Sequence, residues 1–272
     1  MNFKLKGLVA AAILAASVPA HAAIDNGLTG NGSMILNVVD FGNSISASFD
    51  LGKNYSDFSS ATLSSFANSG VTNSGTAFSW DLTSADYSAA WSAFTAVANL
   101  ASAKWFVAGN DNTGAGAGAR GYVSTYAGTP VILNTNQMGT AVSSYDTFIN
   151  NLNMHGNNST VANGASSAGA SAYDYVGKVL STTLKLNGAG ANVAGSFDSA
   201  LGVAQVTTGA SSFANANQFV FGNGAKFLLS STGQLAYSTT AVVAPVPEAD
   251  TWAMMAAGLG LMGFIGRRRM KA

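Results

Sequence analysis

The sequence predicts a mainly β protein, a β-sandwich or jelly-roll-like domain with one or two packed α-helices. Three observations lead to this prediction. The chain of 272 residues is rich in glycine, serine, threonine, alanine and asparagine, a composition typical of strands joined by tight turns. Several segments of strand length alternate apolar and polar residues and end at turn signals. Only two segments have helical spacing, and the length suffices for one sizeable domain with a hydrophobic core.

Residues 1–22 have the pattern of a secretory signal peptide. Two lysines precede an apolar run over residues 8–18, and small residues occupy the cleavage positions, Ala20 and Ala22. Ala23 would begin the mature protein. The apolar run is shorter than the about 20 residues of a transmembrane helix. We therefore expect export by the Sec machinery and cleavage by signal peptidase, with an uncleaved anchor as the alternative.

Residues 23–240 form the predicted exported, β-rich body, which opens with a β-hairpin. Its strands are expected over residues 33–40 and 44–51, separated by a Phe-Gly-Asn turn signal. In the second strand alternate residues are apolar, namely Ile45, Ala47, Phe49 and Leu51. This alternation predicts one buried face and one exposed face.

Two segments of the body have apolar residues at three- and four-residue steps, which predicts amphipathic helices. The first covers residues 84–101, has Thr83 or Ser84 as its N-cap, and directs its aromatic residues into the core, namely Tyr87, Trp91 and Phe94. The second covers residues 140–153. Loops are expected over 109–121 and 156–171, and further strands over 103–108, 178–186, 201–207, 218–221, 226–230 and 234–237.

Charge and cysteine content exclude some classes of function. The formal net charge is zero, so no basic surface for nucleic acid is expected. Residues 24–244 contain ten aspartates, five lysines and one arginine, which gives the body a net charge of about −4. The sequence has no cysteine. An exported protein without disulfides depends on its core or on bound ions for stability.

The segment 241–272 has three parts. Residues 241–250 are a proline-containing linker with a PEP-like motif, Pro247-Glu248-Ala249. Residues 251–266 are uncharged and predict a transmembrane helix. Residues 267–272 form a basic cytoplasmic tail that contains Arg267, Arg268 and Arg269. A 16-residue helix rises about 24 Å against a membrane core of about 30 Å, so the span is marginal. This favours temporary retention in the inner membrane with the body facing the periplasm.

Residues 245–272 resemble the PEP-CTERM sorting signal of Gram-negative bacteria. The resemblance rests on Val246-Pro247-Glu248, on Trp252, on the glycine–leucine stretch and on the three arginines. It implies recognition by exosortase, a membrane-embedded cysteine protease, and delivery to the cell surface or the extracellular space. Members of this family are surface or biofilm-matrix proteins of bacteria that make exopolysaccharide. Ala249 departs from the family, which most often has a second proline there.

The body contains three candidate sites, and each has a structural alternative. Residues 116–121 match G-x-G-x-x-G, but a strand-like segment follows where a dinucleotide site needs a helix, so we expect a loop. Asn110, Asp111 and Asn112 offer oxygen ligands to Ca²⁺, although the spacing of an EF-hand is absent. Further aspartates would have to converge with them, namely Asp40, Asp50, Asp57, Asp81 and Asp86. We therefore expect no cofactor, with Ca²⁺ as the one alternative.

The third candidate is His155, the only histidine of the body. A Ser-His-Asp site would use Asp146 or Asp174 to orient it, yet the sequence has no G-x-S-x-G motif. Seven scattered aromatic residues would stack on sugar rings if they were exposed, namely Tyr55, Trp80, Trp105, Tyr122, Tyr126, Tyr173 and Tyr175. In β-rich domains most such residues belong to the core.

The sequence therefore predicts a protein without a catalytic site, displayed on the cell surface or in the matrix and associated with exopolysaccharide. Two alternatives stay open. A secreted glycan-acting enzyme would use a pair of aspartates about 5–10 Å apart. A self-assembling structural subunit would use exposed strand edges.

Overall fold

The structure is a computed structural model, and it describes residues 23–58, 77–84, 86–130, 133–178, 193–221 and 225–238. In this part of the chain eleven strands form one antiparallel sheet. The strands are β1 (Ser33–Asp40), β2 (Ile45–Asn54), β3 (Ala77–Asp81), β4 (Lys104–Asp111), β5 (Gly121–Tyr126), β6 (Ala165–Gly169), β7 (Gly195–Ser196), β8 (Leu201–Thr207), β9 (Asn217–Val220), β10 (Lys226–Leu229) and β11 (Gln234–Ser238). Residues 1–22, which are predicted to be a signal peptide, and the whole segment 241–272 lie outside the described residues.

The sheet is curled, so that its two ends approach each other. Its strand order is β3-β11-β10-β8-β5-β4-β1-β2-β6, with β7 paired to β4 and β9 paired to β8. The indole N–H of Trp80 in β3 donates a hydrogen bond of 2.8 Å to the carbonyl of Leu51 in β2. These two strands lie near opposite ends of the strand order. The mainly β prediction is confirmed, but one continuous curled sheet takes the place of the two stacked sheets expected for a sandwich.

The concave face of the sheet encloses an aromatic core. Apolar side chains of most strands point into it, and helix α1 (Ser88–Thr95) adds Tyr87, Trp91 and Phe94. Phe58 and Tyr237 lie at its centre with ring centroids 5.0 Å apart in an edge-to-face arrangement. Such pairs contribute about 0.5–1.5 kcal/mol beyond the burial of their area. The sequence has no cysteine, so this core stabilises the fold without disulfides.

Helix α2 (Thr135–Leu152) covers part of the convex face. Its Tyr145, Phe148 and Ile149 pack against Ile35 and Phe106 on the outer side of β1 and β4. Burial raises the pKa of Tyr145, and its hydroxyl donates to the carbonyl of Ala108 at 3.0 Å. Strand β1 is consequently buried on both faces along its whole length.

The predicted hairpin is confirmed, with β1 and β2 in antiparallel register from Asp40–Ile45 onward. The expectation of one exposed face is wrong for β2, because Ser46, Ser48 and Asp50 on the opposite side are buried as well. The predicted strands over 103–108, 201–207, 218–221, 226–230 and 234–237 correspond to β4, β8, β9, β10 and β11. Most of the predicted strand over 178–186 lies outside the described residues.

The predicted helices differ from the observed ones at their ends. Helix α1 is shorter than expected, and its N-cap is Tyr87 without a side-chain hydrogen bond, so the prediction of Thr83 or Ser84 is wrong. Helix α2 begins five residues earlier than expected, since Asn134 and Gln137 form a capping box. The predicted loop over 156–171 contains strand β6. None of the helices in the described part has the length and apolar character that crossing a membrane requires.

A buried carboxylate lies at each end of the β1–β2 hairpin, and the two have opposite pKa shifts. Burial raises the pKa of Asp50 to about 6; the N–H of Gly52 opposes this shift, and the nearby charge of Asp25 adds to it. Burial would also raise the pKa of Asp40. Its hydrogen bonds from Asn99, Asn43 and Gly42 outweigh burial, so the pKa of Asp40 is lowered.

The packing of α2 leads to a first prediction. Replacing Phe148 by alanine should lower the free energy of unfolding by about 3–5 kcal/mol, because this side chain is only 2% exposed between α2 and the sheet. Phe213→Ala is the matched control, since Phe213 is 89% exposed, and its effect should stay within about 0.5 kcal/mol. Urea unfolding of both variants measures the difference. Equal effects would contradict the placement of α2.

The hairpin carboxylates lead to a second prediction. Because the folded state holds the Asp50 proton up to about pH 6, ionisation costs stability as the pH rises from about 4 to about 6. Asp50→Asn should therefore stabilise the fold at pH 7 by up to about 3 kcal/mol, and have little effect near pH 3. Asp40→Asn should destabilise the fold at pH 7, with the effect disappearing in acid. Urea titrations at both pH values measure these signs, and a destabilising Asp50→Asn at pH 7 would contradict the assignment.

Candidate functional site

A polar groove of about 550 Å³ runs beside α2. Three segments far apart in sequence form its walls: helix α2, the loop before β5 and the segment after β8. The residues that line it are Ala115, Arg120, Thr135, Asn136, Gly139, Thr140, Ser143, Ser144, Thr147, Thr208 and Ser212. Hydroxyl groups dominate this set, and it contains no carboxylate and no aromatic ring. We refer to these residues as the polar groove.

Helix α2 faces the groove with the side opposite to its core contacts. Thr140 and Thr147 donate their hydroxyls to helix carbonyls one turn earlier, at 3.1 Å in each case. Gly139 directly precedes Thr140 within the helix, where glycine costs about 0.5–1 kcal/mol relative to alanine. A Cβ atom at Gly139 would meet nothing within 4 Å. No close packing at this position therefore explains the glycine, and its lack of a side chain leaves the groove open.

Arg120 supplies the charge of the groove and is the only arginine between residues 24 and 244. Its Nε donates to the carbonyl of Gly114 at 2.5 Å. Among the described residues, no side chain or carbonyl accepts a hydrogen bond from its terminal nitrogens, so one edge of the guanidinium is free. Thr208 fixes the backbone beside it, since its N–H donates to the carbonyl of Arg120 at 2.9 Å.

The N-terminus of α2 borders the groove, but its N–H groups are already used. The N–H of Thr135 donates to Ala214 and that of Asn136 donates to Ser212, at 2.9 and 3.0 Å. The N–H of Gln137 donates to the capping side chain of Asn134 at 2.8 Å. The helix end therefore offers no free donors to an anion, and the guanidinium of Arg120 is the cationic group of the lining.

A buried hydrogen-bond network holds α2 against β4 next to the groove. Asp146 is 3% exposed, and its carboxylate accepts from Gly27 N–H and from the amides of Asn110 and Asn112 at 2.8, 2.8 and 2.7 Å. Asp111 points away from Asp146, and its carboxylate accepts from the N–H of Thr113 at 2.8 Å. The predicted calcium ligands are thus split between two faces of β4, and N–H donors surround the buried carboxylate.

The predicted convergence of aspartates is not found. Asp40 and Asp50 lie at opposite ends of the hairpin, Asp81 accepts from Thr83, and Asp57 accepts from Asn54. Within the described ranges, no three histidine, aspartate or glutamate side chains come together to hold a metal ion. Residues 116–121 lead into strand β5, as expected, and so no helix follows the glycines.

His155 does lie near one of its two predicted partners. Its Nε2 is 4.0 Å from the carboxylate of Asp174, which is 1% exposed. The hydroxyl of Ser166 donates to the same carboxylate at 3.5 Å. The aspartate therefore stands between serine and histidine, whereas a Ser-His-Asp site needs the histidine in the middle. Asp146, the other predicted partner, belongs to the network under α2.

Of the seven aromatic residues considered for sugar stacking, Tyr173 is the exposed one, at 76%. The other six are buried or half-buried, as expected for core residues. The polar groove was not predicted, because its walls come from three separate segments. The sequence offered one signal for it, the single arginine of the body.

A comparison with protein families gives one match. The family model for the PEP-CTERM protein-sorting motif matches residues 245–269. Comparisons with curated proteins and with solved structures found no match. The matched segment contains the predicted sorting residues and, like the cleavage positions Ala20 and Ala22, lies outside the described residues. The motif implies export, a membrane-anchored C-terminal segment before processing, and processing by exosortase, a membrane protease. The chain is therefore a PEP-CTERM domain-containing protein, marked for sorting by an exosortase to the cell surface.

Proposed function

We propose that this protein has no catalytic activity and that its body binds exopolysaccharide through the polar groove. The sorting motif at residues 245–269 supports the location, because it marks the chain for sorting to the cell surface. The lining of the groove supports the activity. In this proposal the protein passes through the inner membrane as an anchored precursor and ends at the cell surface or in the surrounding matrix.

The observation that carries this proposal is the chemistry of the groove lining. Its volume of about 550 Å³ falls within the range of about 300–1,000 Å³ typical of small-molecule sites. Such sites are usually lined by apolar side chains. Here hydroxyls, one amide and one guanidinium line the walls, so the matching ligand carries many hydrogen-bonding groups of its own. A segment of polysaccharide fits this requirement.

The groove favours binding over hydrolysis. Glycosidases use two carboxyl groups about 5–10 Å apart on either side of the scissile bond. The lining of the groove contains no aspartate or glutamate. Asp146, on the helix that forms one wall, accepts hydrogen bonds from the N–H of Gly27 and from the amide of Asn110. A sugar bound in the groove would therefore meet donors and hydroxyls in place of an acid–base pair.

Filling the groove tests its role in binding. Gly139→Trp places a large side chain in the open space above Gly139 and should reduce retention of the chain on the exopolysaccharide of the producing cells at least tenfold. Gly139→Ala is the matched control: its methyl group meets no atom within 4 Å, so retention should be unchanged. Alanine should also raise the stability of α2 by about 0.5–1 kcal/mol. Thermal unfolding checks that both variants fold, and equal retention of a folded Gly139→Trp variant would exclude the groove.

The sorting step has a separate test. Glu248→Gln removes the carboxylate of the motif at constant size and should leave the full chain, with Arg267–Arg269, in the membrane fraction. Ala249→Pro restores the residue that the resembled family most often has, and processing should be retained. The intact mass of surface and membrane forms measures both outcomes. If the unaltered chain also keeps its arginines permanently in the inner membrane, the sorting proposal is wrong and an ordinary anchor takes its place.

A further inference from the structure

We infer that the polar groove recognises an acidic polysaccharide and that Arg120 binds the carboxylate of a uronic acid unit. This inference rests on the proposed function, since it specifies the class of glycan that the groove takes. It follows from the free edge of the Arg120 guanidinium, from the hydroxyl groups that line the groove, and from the lack of aromatic rings and carboxylates among the lining residues.

The guanidinium of Arg120 is held in place and still has a free edge. Its Nε donates to Gly114, which leaves the terminal nitrogens without a protein acceptor among the described residues. A guanidinium presents its N–H groups as a planar fork that matches the two oxygens of a carboxylate. A neutral sugar hydroxyl would use only one of these donors. The free edge is therefore better matched to a carboxylate than to a hydroxyl.

The backbone that carries Arg120 is fixed by Thr208. The hydroxyl of Thr208 donates to the carbonyl of Gly116 at 2.7 Å and accepts from the N–H of Ala119 at 3.1 Å. Gly118 N–H in turn donates to the carbonyl of Thr208 at 2.8 Å. The glycine-rich loop is thus tied to the end of β8 at several points. This bracing reduces the conformational entropy that Arg120 loses when it binds a ligand.

The hydroxyls on the helix side are positioned to contact the rest of the sugar. Ser143, Ser144 and Thr147 line α2 along the groove, and Ser212 lies on the other wall. The serine hydroxyls can both donate and accept, as sugar hydroxyls do, whereas the Thr147 hydroxyl already donates to the helix and can accept from a sugar. Neutral sugars are commonly held by an aromatic ring against their apolar face, and the lining contains no such ring. The charge-assisted bond from Arg120 is therefore the strongest contact that the groove offers.

The charge of the body makes this contact selective. Residues 24–244 carry a net charge of about −4, so an anionic polymer is not attracted to the surface as a whole. The buried carboxylate of Asp146 on the same helix does not compete strongly, because both of its oxygens accept protein donors. An acidic polymer consequently gains its favourable electrostatic contact at Arg120 and should bind more weakly as salt is added.

The experiment compares two soluble probes on the full chain in mild detergent: oligogalacturonate, and the same oligomer with its carboxyl groups reduced to alcohols. Isothermal titration calorimetry should give at least about tenfold tighter binding to the acidic oligomer, since hydrogen bonds between charged groups are stronger than those between neutral ones. Arg120→Gln should abolish this preference. Arg120→Lys should keep part of it, because the charge remains while the planar fork is lost. Lys226→Gln is the matched control, since it removes one positive charge from an exposed position outside the groove, and it should leave the preference unchanged.

The outcomes separate this inference from the proposed function. Equal binding of both oligomers by the unaltered chain would overturn the inference and leave glycan binding intact. An acidic preference that survives in a folded Arg120→Gln variant, or that disappears equally in Lys226→Gln, would overturn the role of Arg120. Absence of binding to both oligomers and to the native exopolysaccharide would overturn the proposed function as well. Thermal unfolding of each variant shows whether it is folded.

Discussion

The burial of strand β1 on both faces is the constraint on which the rest of the structure depends. Residues of β1 alternate between two apolar environments, with Leu36 and Val38 in the concave core and Ile35 and Val39 under α2. Neither face can meet water without exposing large apolar side chains, so the sheet needs a cover on each side. The curl of the sheet and helix α1 cover one face, and α2 covers the other. The position of α2, which forms one wall of the groove, therefore follows from the requirements of the core.

Helix α2 combines two roles on opposite faces. Its apolar face is fixed by Tyr145 and Phe148. The buried carboxylate of Asp146 accepts from Asn110 in β4, from Asn112 just after that strand and from the N–H of Gly27. The opposite face carries small polar side chains and the interior glycine Gly139, which weakens the helix without improving any contact. A rigid helix with an open polar face is a suitable wall for a binding site, because its hydroxyls do not have to be ordered when a ligand arrives.

The local parts of the fold were predictable, and the long-range parts were not. The hairpin follows from the alternation of Ala47, Phe49 and Leu51, and the core role of Trp91 follows from its helical spacing. The start of α2 was missed because its first turn is polar, so that only the Asn134 capping box marks it. Strand β6 consists of small residues that show no alternation of apolar and polar side chains. It is a strand because it pairs with β2, which local sequence does not reveal. The lining of the groove comes from three segments between Ala115 and Ser212. Local sequence patterns do not predict which distant segments pack together, so the groove could not be predicted from them.

In the proposed complex with an acidic polysaccharide, the single arginine limits the affinity of the groove, and the repeating structure of the polymer compensates for this limit. One charge-assisted contact and a set of hydroxyls give modest binding once the entropy of association is subtracted. An acidic polysaccharide repeats the same carboxylate along its length, so a protein that leaves one unit finds the next nearby. In this proposal many copies of the protein on one surface bind one polymer together, and linked weak contacts gain strength by factors of about 10²–10⁴ over single ones. If the groove binds such a polymer, sorting to the cell surface contributes to the binding itself, because it brings together the many copies that a weak groove needs to hold a polymer.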